Sequence, residues 1–143
     1  MILVDVNLLV YAWDSAAMDH VAARDWPDAQ LSGGTRVGLP WESTLGFLRI
    51  VTNARIFAHP ATIGHAWRQV QEWLNCDNVW IPAAGAQHNA VLSELLRNLG
   101  GGPNLIPDAH LAALAIEHGL TLYSSDGDFA RFQNLRWSNP LKR

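Results

Sequence analysis

Short apolar runs alternate along the chain with longer segments in which apolar residues recur every three or four positions. The short runs are typical of buried strands, and the longer segments are typical of amphipathic helices. The predicted strands are residues 2–4, 36–39, 78–82, 121–123 and 135–137. The predicted helices are residues 8–12, 19–31, 41–53, 60–74, 87–99 and 107–118. This alternation predicts an α/β sandwich built around a parallel sheet.

Two of the predicted helices carry acids in their first turns. In the helix over residues 41–53, Glu42 lies in the first turn. Leu45, Leu48 and Thr52 fall on one stripe that is typical of a core-facing surface. The helix over residues 107–118 opens with Asp108 just after a proline, and a glycine after its last residue supplies the stop signal.

Length, charge and cysteine content narrow the possible classes of protein. The 143 residues suit a single domain, residues 1–143, with a core of its own. A net charge of −3 argues against binding to nucleic acid through bulk positive charge, so any RNA contact must be local. The single cysteine, Cys76, indicates a reducing, cytoplasmic compartment. We expect neither a signal peptide nor a membrane span, because an acid comes early and no apolar run is long enough.

Four carboxylates fall at positions that a parallel sheet would bring together. Asp5, Glu42 and Asp126 each come just after a predicted strand, and Asp108 opens a predicted helix. Ligands of open parallel sheets gather at the carboxyl ends of the strands. Crowded carboxylates repel one another unless a cation fills the site, and Mg²⁺ or Mn²⁺ suits oxygen ligands. Each acid alone also fits an ordinary turn or cap role, so the prediction depends on the joint pattern.

Four stretches resemble the motifs of PIN-domain ribonucleases, and in particular the VapC toxins of bacterial toxin–antitoxin pairs. Residues 4–7 (VDVN) resemble the first motif, and residues 40–43 (PWES) fall where the family carries its second acid. Residues 107–119 (PDAHLAALAIEHG) resemble the helix of the third acid, and residues 124–129 (SSDGDF) resemble the fourth motif. Order, spacing and chain length all match, so the resemblance spans essentially the whole chain.

The resemblance implies a fold and a chemistry. The fold is a three-layer sandwich with a five-stranded parallel sheet between helices. The chemistry is Mg²⁺- or Mn²⁺-dependent endonucleolytic cleavage of RNA. Asp5 and Asp108 would be the chief metal ligands, with Asp126 as a further ligand acting directly or through water, and Glu42 would complete the catalytic site. The resemblance also implies a homodimer and a VapB-like antitoxin that places an arginine or lysine near Asp5 and Asp108.

Several neighbours of these acids have roles that the sequence leaves open. Asp128 is an uncertain member of the site because the family varies there, and Asn7 and Ser124 would hold water or orient Asp5. Trp13 and Trp41 are candidates to stack on RNA bases or to line an antitoxin groove, with core packing as the alternative. We expect no chemistry from the histidines, because they lack paired spacing: His59, His65, His88, His110 and His118.

Two other classes of function remain as alternatives. A phosphatase or phosphate receiver also gathers aspartates at strand ends, but the usual phosphatase opening needs a second aspartate where Asn7 stands. A receiver needs a lysine after a later strand, and the only lysine is Lys142. A non-catalytic PIN-like binding scaffold usually loses acids, whereas all four acidic positions are filled here.

Overall fold

The computed structural model describes residues 1–14, 30–31 and 33–141. The strands are β1 (Ile2–Val4), β2 (Val37–Gly38), β3 (Val79–Trp80), β4 (Thr121–Tyr123) and β5 (Trp137–Ser138). The helices are α1 (Val6–Trp13), α2 (Trp41–Val51), α3 (Ile63–Leu74), α4 (His88–Arg97), α5 (Leu105–Glu117) and a 3₁₀ helix (Gly127–Arg131). The predicted helix over 19–31 lies outside the described residues except for Gln30 and Leu31, which are helical.

The five strands form one parallel sheet with β1 at its centre. The strand order is β3-β2-β1-β4-β5, and every described pair of neighbours is parallel. Leu3 of β1 pairs with Gly38 on one side and Leu122 on the other. The chain builds the sheet outward through β2 and β3, then returns to the other side of β1 for β4 and β5. This confirms the predicted α/β sandwich with a five-stranded parallel sheet.

Helices cover both faces of this sheet, because alternate side chains of β1 point to opposite sides. Ile2 and Val4 belong to a core that includes residues of α1, α2 and α3. Leu3 belongs to a second core, formed with α5, β4 and the phenylalanines around the 3₁₀ helix. Consequently α2 and α5, which carry two of the predicted site acids, lie in different layers of the sandwich.

The buried face of α2 differs from the predicted one. Leu45 is 54% exposed, whereas Thr44, Phe47 and Val51 are fully buried, so the prediction was wrong for Leu45. These three buried residues also follow helical spacing, and hydrophobicity alone ranked the leucines above the threonine. Leu48, from the same predicted stripe as Leu45, packs against the core as a partly buried residue. The buried Ser43 hydroxyl donates to the Val4 carbonyl oxygen at 2.6 Å, and this polar contact helps to set the rotation of the helix.

The helix α5 begins two residues before the predicted start. Pro107 suggested a first helical position, but Leu105 and Ile106 are already helical. A proline is tolerated here because the first N–H groups of a helix have no partner inside it. Asp108 therefore lies at the end of the first turn rather than at its opening. Among the described residues, no helix is long and apolar enough to cross a membrane.

Candidate active site

The candidate site lies where the strand order reverses, between the carboxyl ends of β1 and β4. Asp5 directly follows β1, and its backbone N–H donates to the Tyr123 carbonyl oxygen at 3.0 Å, which extends the strand pairing. Ser124 directly follows β4. The connections leave these two neighbouring strands in opposite directions, so a crevice opens at their ends. Such switch points are where open parallel sheets bind ligands.

The buried Ser124 hydroxyl ties the two strand ends together. It donates to Asp5 Oδ2 at 2.7 Å, and it accepts from Asn7 Nδ2 at 3.2 Å and from the Asp126 backbone N–H at 3.0 Å. The hydroxyl thus uses its one hydrogen as a donor and accepts two hydrogen bonds, which is its full capacity. Asn7 also accepts from the Ser125 backbone N–H at 3.4 Å. The hydroxyl therefore orients Asp5. Its hydrogen is held by the Asp5 carboxylate, which does not suit Ser124 to act as a nucleophile.

Three carboxylates face one another beside this hydroxyl. Asp108, Asp126 and Asp128 each offer an oxygen, and these oxygens lie within 4.8 Å of one another. Asp126 caps the 3₁₀ helix, with its Oδ1 accepting from the Asp128 backbone N–H at 2.9 Å. The expected cap role of Asp126 is therefore real, and the same side chain also belongs to the cluster. Asp128, which the sequence left uncertain, stands beside Asp108 and Asp126.

The pKa values of Asp5 and Asp108 are raised, although Arg131 Nε lies 3.8 Å from Asp128 Oδ1. Burial raises the pKa of Asp5 above its ordinary value, hydrogen bonds from Ser124 and the Val6 N–H oppose this, and the Asp126 carboxylate adds repulsion. The pKa of Asp108 rises to about 6, first through burial and then through repulsion from the carboxylates of Asp126, Asp5 and Asp128. Asp5, Asp108, Asp126 and Asp128 therefore form one electrostatic unit, here called the aspartate cluster.

The chemistry of the aspartate cluster fits a divalent cation. All of its donors are carboxylate oxygens, which hard cations prefer. Each raised pKa has a cause that a cation would reverse, since a positive charge among the acids favours their ionised forms. Among the described residues, Asp108, Asp126 and Asp128 are the group whose geometry suits an ion. These residues could bind a divalent metal ion.

Glu42 stands apart from the aspartate cluster. Its Oε2 lies 3.5 Å from His110 Nε2, and its carboxylate is not among those with oxygens within 4.8 Å of one another. The adjacent Ser43 anchors the first turn of α2 to the end of β1. Of the predicted site residues, Asp108 and Asp126 belong to the 4.8 Å group, and Asp5 lies outside it but close enough for its charge to raise the pKa of Asp108. Glu42 contacts His110.

His88 and His110 have polar partners that the sequence spacing did not indicate. His110 Nδ1 lies 3.0 Å from His88 Nε2, and His88 Nδ1 lies 3.1 Å from Glu117 Oε2. Sequence reasoning missed this group because His88 lies on another helix. The available signal was the seven-residue spacing of His110 and Glu117, which places both on one face of α5.

The two candidate tryptophans have different surroundings. Trp13 packs edge-on against Phe47, with ring centroids 5.6 Å apart, and against His65 at 5.1 Å. Trp41, beside Glu42, is 40% exposed. Core packing therefore accounts for much of Trp13, whereas Trp41 presents an aromatic surface next to the site.

Comparison with known proteins identifies the family. The model of the PIN domain matches residues 2–135. The chain is 42% identical over 142 residues to Ribonuclease VapC33 of Mycobacterium tuberculosis, covering 99% of both chains. It is 39% identical over 140 residues to Ribonuclease VapC37 of the same organism, covering 98% of this chain and 97% of the relative.

Solved structures share the fold at much lower identity. VapBC2 from Rickettsia felis, bound to a DNA fragment from its promoter, matches with a TM-score of 0.69 and 18% identity over 97% of this chain and 98% of that one. VapBC-1 from nontypeable Haemophilus influenzae matches with a TM-score of 0.69 and 17% identity over 99% of this chain and 100% of that one. The family model and the relatives that match over nearly the whole chain show that the chain belongs to the PIN-domain family, among relatives named VapC.

Proposed function

We propose that this protein is the toxin of a toxin–antitoxin pair and acts as a divalent-metal-dependent endoribonuclease. The observation that carries the proposal is the convergence of four aspartates on the switch point of a PIN fold. The relatives that match over nearly the whole chain are named as ribonucleases. The family match spans most of residues 1–143, which we take as one domain.

Asp5, Asp108 and Asp126 would hold Mg²⁺ or Mn²⁺, and Asp128 is well placed to join them. A bound divalent cation would orient a phosphodiester, promote attack by water and stabilise the charge that develops on phosphorus-bound oxygens. Ser124 contributes by holding Asp5 Oδ2 through its own proton, so that this carboxylate keeps one orientation. Glu42 would complete the catalytic site from α2.

Local chemistry rather than net charge would bind the RNA. The formal charge is −3, so a cation in the aspartate cluster is the obvious positive partner for a phosphate group. Trp41 is exposed beside Glu42 and would stack on a base there. With cellular RNA as its substrate, the protein would act in the cytoplasm.

The proposed partners are a VapB-like antitoxin and a second copy of this chain. The antitoxin would place an arginine or lysine near Asp5 and Asp108, since a guanidinium replaces a cation with two parallel hydrogen bonds to carboxylates. Trp41 would line the groove beside that residue, with Trp13 at its rim. Co-purification with the product of a neighbouring gene tests this, and a protein that no neighbouring product binds or silences would contradict the toxin role.

Cleavage of total cellular RNA tests the nuclease role. The purified protein should cut RNA internally with Mg²⁺ or Mn²⁺, stop in EDTA and resume when the cation is restored. A parallel assay with a small phosphate monoester separates this from a phosphatase. Turnover of the monoester without RNA cleavage would favour the phosphatase alternative. A folded protein that binds RNA but cleaves nothing with either cation would favour the binding scaffold.

A further inference from the structure

Four side chains outside the aspartate cluster lie in a row, here called the histidine relay, with hydrogen bonds among the first three and an ion-pair contact to the fourth. Glu117 Oε2 lies 3.1 Å from His88 Nδ1, His88 Nε2 lies 3.0 Å from His110 Nδ1, and His110 Nε2 lies 3.5 Å from Glu42 Oε2. The second oxygen of Glu117 accepts from the Gly85 backbone N–H at 2.7 Å. Both imidazole rings therefore have a polar partner on each ring nitrogen.

The histidine relay is anchored at one end and open at the other. The side chains of Glu117 and His88 are 5% and 11% exposed, whereas those of His110 and Glu42 are 33% and 47% exposed. A carboxylate as buried as that of Glu117 is costly unless it is hydrogen-bonded, and here both of its oxygens have donors. Buried Glu117 thus fixes the orientation of the His88 ring, and His88 in turn holds the ring of the more exposed His110.

The pattern of hydrogens follows from the donors available. A carboxylate accepts, so His88 Nδ1 must donate to Glu117. At the contact between the rings, one of His88 Nε2 and His110 Nδ1 donates and the other accepts. His110 Nε2, at the far side of the second ring, lies 3.5 Å from Glu42 Oε2.

The exposed end of the histidine relay joins the two helical layers across the candidate site. Glu42 belongs to α2, in the layer packed with α1 and α3, and His110 belongs to α5, in the opposite layer. His110 comes two residues after Asp108, and Ser43 holds the start of α2 to the end of β1. Their contact therefore closes over the carboxyl edge of the sheet, where the aspartate cluster lies.

We propose that His110, held by His88 and Glu117, is a positioning residue that sets where the Glu42 carboxylate stands in the reaction. This inference rests on the proposed nuclease function. Without His110, the half-exposed Glu42 side chain would lose its only side-chain contact recorded among the described residues. Removing a group that orients a site residue lowers the rate typically about 10- to 100-fold, so His110→Ala should lower kcat by about tenfold and leave KM little changed.

A double-mutant cycle tests whether His110 acts through Glu42. The cleavage rates of wild type, Glu42→Gln, His110→Ala and the double variant are compared under one set of conditions. If His110 works through Glu42, the double variant should be no slower than Glu42→Gln alone. Losses that multiply in the double variant, or full activity of His110→Ala, would overturn the proposal.

Two substitutions of Glu117 separate hydrogen bonding from burial. In Glu117→Gln, the amide oxygen still accepts from Gly85 and the amide nitrogen donates to His88 Nδ1. Each ring can then accept at Nδ1 and donate at Nε2, so His110 Nε2 can donate toward Glu42. Glu117→Gln should therefore stay within about threefold of the wild-type rate, whereas Glu117→Ala should lose about tenfold, like His110→Ala. Equal losses in both folded Glu117 variants would contradict positioning through the rings.

A spectroscopic readout checks the ring orientation without activity. Long-range ¹H–¹⁵N spectra should show His88 Nδ1 carrying a hydrogen in the wild type and lacking it in Glu117→Gln. A wild type with an unprotonated His88 Nδ1 would overturn the proposed arrangement. The Asp108→Asn variant separates the nuclease proposal from the positioning proposal. If the wild type does not cleave RNA, the nuclease proposal fails. If cleavage depends on Asp108 but not on His110, only the positioning proposal fails.

Discussion

The aspartate cluster and the histidine relay are two acidic regions at one edge of the sheet, and they handle negative charge in opposite ways. In the aspartate cluster, carboxylates face carboxylates, and burial and mutual repulsion raise the pKa values of Asp5 and Asp108. In the histidine relay, each carboxylate faces an imidazole. In the aspartate cluster, Arg131 Nε lies 3.8 Å from Asp128 Oδ1, but the pKa values of Asp5 and Asp108 are still raised. The comparison indicates that carboxylates packed against carboxylates, rather than acid content alone, favour a cation site.

The largest effect is expected from substitutions within the aspartate cluster. Asp5→Asn and Asp108→Asn should each lower RNA cleavage by about 10³-fold or more, because losing a charged ligand removes several kcal/mol of transition-state stabilisation. Circular dichroism should show an unchanged fold. Asp77→Asn, at an exposed acid outside both regions, is the matched control and should cleave normally. Normal cleavage by both cluster variants would exclude the metal-site assignment.

A smaller effect is expected at the hydroxyl that joins the strand ends. Ser124→Ala removes a donor to Asp5 and leaves Asn7 Nδ2 and the Asp126 N–H without their acceptor. Unfolding in urea should show a loss of about 1–3 kcal/mol, the usual cost of stranding buried polar groups. Cleavage should fall roughly 10- to 100-fold, since Asp5 loses its orientation. Ser125→Ala is the adjacent control, and equal losses in both variants would argue against a special role of Ser124.

The smallest effect concerns stability in metal-free protein. The pKa of Asp108 is about 6 in the folded protein and ordinarily 3.8, so the folded state holds more protons than the unfolded state between these pH values. The wild type should therefore lose stability as the pH rises through this window, and regain it on acidification. Asp108 is only partly buried, so solvent screening keeps the effect modest.

Asp108→Asn isolates that contribution. In EDTA above pH 6.5, we expect the variant to melt roughly 1–4 °C higher than the wild type, because one repelling charge is gone. Near pH 4 the difference should vanish, since the wild-type carboxyl is then mostly protonated. Differential scanning calorimetry at the two pH values checks this. A gain of the same size at both would point to a change in helix packing rather than charge.

The fold could be predicted from sequence because its signals are local. The buried runs at residues 2–4 and 121–123 matched β1 and β4 to the residue, and their acids fell at the carboxyl ends as expected. The start of α5 was misplaced because a proline is equally acceptable at several first-turn positions. The rotation of α2 was misjudged because the Ser43 hydrogen bond to Val4 spans 39 positions and leaves no periodic trace.

Some residues of the candidate site could likewise be predicted from sequence, and others could not. Asp5, Asp108 and Asp126 were accessible from motif spacing and strand ends. The position of Glu42 was not, because its partner His110 is oriented by His88 on another helix. Asp128 joined the aspartate cluster through a turn whose geometry depends on Asp126 capping the 3₁₀ helix. Such details depend on tertiary contacts between segments that are distant in sequence.

The most direct test of the central claim locates the cation. Crystals grown with Mn²⁺ should show an anomalous difference peak among the carboxylates of Asp5, Asp108, Asp126 and Asp128, and the peak should disappear in Asp108→Asn crystals. A peak between Glu42 and His110, or no peak in crystals that hold Mn²⁺ at millimolar concentration, would contradict the claim that the aspartate cluster is the metal site.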